Sequence, residues 1–92
     1  MFYERAIGTF GDLVNEAATM DADAGLRILG RYNGRPCFAF VTRFRSRYTV
    51  IICSRLRAGP GRPLASEEVN GVEELKSVLK KVVRGRVSAF AY

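Results

Sequence analysis

Leu26-Arg27-Ile28-Leu29-Gly30-Arg31-Tyr32-Asn33-Gly34-Arg35-Pro36-Cys37-Phe38-Ala39-Phe40-Val41-Thr42-Arg43 consists of two β-rich runs joined by Asn-Gly. Asn and Gly tolerate the positive φ that both central residues of a type I′ turn require, so the stretch predicts a hairpin with Tyr32 opposite Arg35. Side chains alternate across a strand. One face of the hairpin therefore collects Arg27, Leu29, Arg31, Phe38, Phe40 and, further on, Phe44, while the other collects Leu26, Ile28, Cys37, Ala39 and Val41. The second set suits packing under helices. The first mixes large aromatic rings with guanidinium groups.

Tyr48 to Leu56 is a third β-rich run, and the turn near Arg43-Phe44-Arg45-Ser46-Arg47 sets its register. An even loop puts Arg47, Thr49, Ile51, Cys53, Arg55 and Arg57 on the aromatic face and leaves Tyr48, Val50, Ile52 and Leu56 for the core. An odd loop exchanges the sets and buries Arg55 and Arg57 under the helices without visible carboxylate partners, at several kcal/mol each by order of magnitude. The even loop is the expected one. It also sends Cys37 and Cys53 to opposite faces, where they cannot form a disulfide.

Upstream, Phe10, Leu13, Val14, Ala17 and Ala18 fall at helical spacing, and Thr9 with Asp12 resembles a cap. Downstream, Ala58-Gly59-Pro60-Gly61-Arg62-Pro63 reads as a loop. Asn70 followed by Glu73 resembles a capping box, and Val72, Leu75, Val78, Leu79, Val82 and Val83 share one side of the helix that follows, which Gly85 is expected to end. Val87 to Tyr92 is short, apolar and alternating. The expected fold is a single α+β domain over residues 1–92: an N-terminal helix, an antiparallel β-meander of three to four strands, a C-terminal amphipathic helix and a short terminal strand.

Charge is concentrated in the same region as the strands. Between Ala24 and Ser66 there is no Asp or Glu but there are nine arginines, so this segment accounts for more than the whole net charge of +6. Such a field attracts a polyanion, because neutralising phosphates releases condensed counterions. Aromatic rings interleaved with arginine add a preference for unpaired bases, which stack on the rings while the guanidinium groups hold phosphate. The candidate nucleic-acid-binding residues are Arg27, Arg31, Phe38, Phe40, Phe44, Arg45, Arg47, Arg55 and Arg57. The expected partner is single-stranded DNA or RNA. The alternative is a protein-interaction or assembly subunit in which the rings anchor a partner and the arginines meet an acidic surface.

With no His and two Cys, the chain has few groups from which to build a metal site or an acid–base constellation, and Gly59-Pro60-Gly61-Arg62 lacks the ending of a P-loop. No cofactor, metal or catalytic residue is expected. No run of 18 apolar residues occurs, and Met1-Phe2-Tyr3-Glu4 resembles no export signal, so a cytoplasmic protein that does not enter the membrane is expected.

Phe38-Ala39-Phe40-Val41 is similar to the middle of the RNA-recognition-motif signature, but the order of elements does not fit that fold. The whole layout resembles instead the ThermoDBP-related proteins, relatives of the archaeal ThermoDBP single-stranded DNA-binding proteins. The likeness rests on an N-terminal helix, a basic three-stranded meander with interleaved aromatics, an amphipathic helix and a short basic end. The resemblance implies an α+β fold distinct from the OB barrel and a cleft with an apolar base and basic rims for single-stranded DNA or RNA. It also implies a homo-oligomer, a dimer or tetramer. The chain lacks the heptad tail of the longer members.

Overall fold

The computed structural model describes residues 5–83 and 86–91. Strand β1 (Arg5–Ile7) leads into helix α1 (Phe10–Thr19), followed by β2 (Gly25–Tyr32), β3 (Arg35–Phe44), β4 (Arg47–Leu56) and β5 (Gly59–Asn70). Helix α2 (Gly71–Val82) and β6 (Ser88–Ala91) complete the chain. The strands form one antiparallel sheet in the order β1-β6-β2-β3-β4-β5. The α+β class and the two helices agree with the sequence reading. The sheet has six strands among the described residues, rather than three to four.

Two tight turns fix its register. Asn33 (φ 52°) and Gly34 (φ 79°) form the first, with Tyr32 paired to Arg35. Arg45 and Ser46 form the second, with Phe44 paired to Arg47, which is the even loop. Arg45 occupies the left-handed region at φ 59°, a position that costs a non-glycine residue about 1–2 kcal/mol. Its carbonyl accepts a 2.7 Å hydrogen bond from Arg43 Nε, which ties the turn to the strand before it.

Leu26, Ile28, Cys37, Ala39, Val41, Tyr48, Val50 and Ile52 lie on one face and are buried with Leu13 and Ala17 of α1 and Leu75, Val78, Leu79 and Val82 of α2. Thr9 caps α1 by accepting from the Asp12 amide at 3.1 Å. At the other end of α1, Arg43 Nη1 donates to the carbonyls of Ala18 (2.8 Å) and Met20 (3.3 Å), satisfying groups the helix leaves open and placing positive charge at its negative pole. Tyr48 donates its hydroxyl to Ala17 O at 3.1 Å in the buried layer. Gly30 has its own role under α2. A Cβ there would collide with the carbonyl oxygen of Val82, so glycine sets how closely the helix end approaches the sheet.

Three readings of the sequence are corrected. Gly59 to Pro63 is not a loop but the first half of β5; only Arg57 and Ala58 turn. The strand tolerates Pro60 and Pro63 because among the described residues it is an outer strand with one unpaired side, and the register shifts between Ile52 and Arg55 absorb the irregularity. The expected meander of three to four strands is widened on both sides, and the terminal strand is interior. It sits between β1 and β2, and β5 rather than β4 closes the far side. The second helix lacks the expected capping box: the Asn70 side chain makes no cap, Glu73 pairs with Lys76 at 3.2 Å, and Glu74 accepts from the Asn70 amide at 2.7 Å. Gly71, at φ 82°, turns the chain directly from strand to helix. Met1-Phe2-Tyr3-Glu4, Gly85 and Tyr92 lie outside the described residues. Among the described residues no helix is long and apolar enough to cross a membrane.

Gly30→Ala is expected to lower stability by about 1–3 kcal/mol, because the added methyl forces α2 off the sheet. Arg43→Met should cost a similar amount through unpaired α1 carbonyls. Urea unfolding of both variants checks this; no shift in midpoint for Gly30→Ala would show that the helix end moves freely.

Candidate nucleic-acid interface

The opposite face of the sheet carries the remaining alternating positions, and both helices lie on the other side. Read across the strands, one row runs Ser88, Leu29, Phe38, Cys53 and Pro63, and the next runs Ala6, Phe90, Arg27, Phe40, Ile51 and Ser66. Phe38 and Phe40 are half-buried, with ring centroids 6.1 Å apart and planes tilted by 31°. Arg27 lies between two aromatic positions. Its guanidinium is 5.3 Å from the centroid of the Phe90 ring, and Phe40 is its partner on the other side. Such an arrangement holds the charge at the surface of an apolar floor.

The nine candidate residues fall into separate groups. Arg27, Phe38 and Phe40 form the centre. Arg31 pairs with Pro36, and Arg55 follows Ser54, the partner of Cys37, at the end of the face nearest the first hairpin. Phe44, Arg45 and Arg47 stand at the opposite corner around a hollow of about 310 Å³, with Phe44 67% exposed and the Arg45 guanidinium 5.5 Å from its ring centroid. Phe44 lies four positions beyond Phe40 on one strand, about 13 Å along its axis. The corner is thus a distinct station, not a continuation of the central pair. Arg57 lies in the β4–β5 turn, exposed and off the strands.

Sequence reasoning missed several contributors. Phe90 joins the face because β6 inserts beside β2, a non-local pairing that no local pattern encodes. Glu68 was equally hidden. It lies on β5 across from Thr49 and pairs with Arg47 at 3.8 Å, both side chains well exposed, so Arg47 carries a competing carboxylate. A pair so exposed is weak and gives way readily to phosphate. Glu67, on the helix side of the same strand, pairs with Lys81 at 3.3 Å.

The cysteines are neighbours on adjacent strands but face opposite ways: Cys37 pairs with Ser54, and Cys53 with Phe38. Both are free thiols. Burial pushes the Cys37 thiol above its ordinary range, while the Arg55 guanidinium and a backbone hydrogen bond from Gly30 pull the other way. Among the described residues no three His, Cys, Asp or Glu side chains are grouped to hold a metal ion.

No family model, curated protein or solved structure matches this chain.

A raised folded value for Cys37 means that the neutral thiol is the form the fold favours. Its contribution to stability is complete below the ordinary thiol pKa and is lost as pH rises through the folded value. Cys37 should therefore resist alkylation at pH 8 until the protein unfolds. Mass spectrometry of iodoacetamide-treated native protein checks this, and rapid modification of Cys37 would contradict it.

Proposed function

We propose that this chain binds single-stranded nucleic acid, DNA or RNA, on the uncovered face of its sheet. The observation that carries the reading is the Phe38–Phe40 pair, half-exposed on a face without helices and adjoined by Arg27. Bases stack on Phe38 and Phe40, with Phe44 as a further stacking position. Arg27, Arg31, Arg45, Arg47, Arg55 and Arg57 hold phosphate. Duplex DNA presents no base faces to such rings, so single strands are preferred. The proposed kinship is with the ThermoDBP-related proteins, the proposed setting is the cytoplasm, and the role is binding rather than catalysis, with no cofactor or metal.

A homo-oligomer, dimer or tetramer, is part of the same proposal. It is supported by the long outer strand β5, which among the described residues has no partner on one side, and by the exposed apolar side chains Leu64 and Leu56, the latter outside the core that the even register predicted for it because it ends β4 beside the turn. The protein-assembly alternative draws on one observation, the 40% exposure of Ile51 beside Phe40, which gives the face an apolar anchor.

Phe40→Ala should weaken binding of a short oligo-dT or oligo-U by about 1–3 kcal/mol. Its cost in stability should stay below the ~3–5 kcal/mol of a core Phe→Ala substitution, since the ring is only half-buried. Fluorescence anisotropy and urea unfolding on the one variant measure both. Unchanged affinity in the folded fraction would remove the stacking role. With six arginines on phosphate, log K against log salt should have a slope of about −4. A slope shallower than about −2 would mean that most of these arginines serve another purpose, and equal affinity for blunt duplex would remove the stacking role.

A further inference from the structure

Before Ser88 the sixth strand has not yet begun, so among the described residues the edge of β2 at Gly30 and Arg31 has no strand partner of the kind that Leu29 has in Ser88. A pocket of about 280 Å³ opens at this gap, just under the size that takes a drug-sized ligand. Arg31 and Arg55 reach it from the sheet, Arg86 and Ser88 from the segment entering β6, and Val82 and Val83 at the end of α2 contribute apolar wall. Three arginines line one hollow, and among the described residues no carboxylate does; Arg31 also donates from Nη1 to the Gly34 carbonyl at 3.5 Å. Among the described residues, neither the Arg55 nor the Arg86 side chain makes a hydrogen bond or an ion pair. Like charges brought together this way repel, and an anion between them removes the repulsion.

We infer that this pocket receives the terminal phosphate monoester of a bound strand. The inference rests on the proposed strand-binding reading for the rest of that ligand. A monoester suits the site better than a chain diester. It carries close to two negative charges near neutral pH and three free oxygens, enough to engage several arginine forks at once, whereas a diester offers one charge and two such oxygens. The Ser88 hydroxyl supplies one more donor. The position is also that of a strand end. The pocket begins at Leu29 and Ser88, which share a row with Phe38, and extends to Arg31, one alternation or about 7 Å further along the strands, so a terminal phosphate held there leaves the adjoining base beside the Phe38 ring.

The test compares a six-nucleotide dT strand carrying 5′-phosphate, 3′-phosphate, a 5′-methylphosphate diester or hydroxyl at both ends, by fluorescence anisotropy at fixed salt. One monoester end should raise affinity at least fivefold over hydroxyl, and the methylphosphate should give little of that gain. Arg86→Ala and Arg55→Ala should abolish the difference, whereas Arg47→Ala, at the far corner, should lower affinity while keeping the ratio. Gains below twofold for both monoester ends, or a gain that survives in Arg86→Ala and Arg55→Ala, would overturn the inference. Inorganic phosphate, titrated while the Arg Nε–Hε NMR signals are followed, separates the two readings. If no oligonucleotide binds yet phosphate shifts the Arg55 and Arg86 signals, strand binding fails and the pocket stands as a phosphate site. If phosphate leaves those signals unmoved and no terminal phosphate improves binding, the pocket assignment itself is wrong.

Discussion

The parity of two turns governs this molecule. Asn33-Gly34 and Arg45-Ser46 each hold two residues, so β2, β3 and β4 keep their odd and even positions in step, and one face gathers small and branched apolar side chains while the other gathers rings and guanidinium groups. A single extra residue in either turn would exchange the faces of every strand beyond it, sending Arg47 and Arg55 beneath the helices and Val50 and Ile52 into water. No local contact could compensate for that. The cost of the left-handed Arg45 is accordingly set against the burial of a whole strand face, and Arg43 stabilises the turn that needs it.

Arginine has two separate uses here, which composition does not distinguish. Arg43 is structural: its guanidinium joins the end of α1 to the β3–β4 turn, with donors directed at three carbonyl oxygens. Arg31, Arg55 and Arg86 line a hollow that, among the described residues, has no carboxylate in its wall. The difference follows from strand alternation. Position 43 shares a face with Val41, towards the helices, whereas 31 and 55 share the face of Phe38. Lysine would serve poorly at position 43, because one ammonium cannot span carbonyls on two elements as the planar fork does.

Local chemistry determined a good part of the structure from the sequence. The Asn-Gly turn, the alternation on either side of it and the helical spacing of Leu75, Val78, Leu79 and Val82 are short-range patterns, and short-range patterns set the hairpin, its two faces and both amphipathic helices. They also placed Phe38, Phe40, Arg27 and Arg31 on one face, since pairing across a two-residue turn leaves one register. Tertiary structure decided what depends on distant segments. Pro60 and Pro63 are strand residues only because β5 has no partner on its outer side among the described residues, and Phe90 and Arg86 meet the basic face only because β6 returns to lie between β1 and β2. A residue's neighbours along the chain carry no information about which strand will later pair beside it, so membership of the candidate site beyond the hairpin had to await the fold.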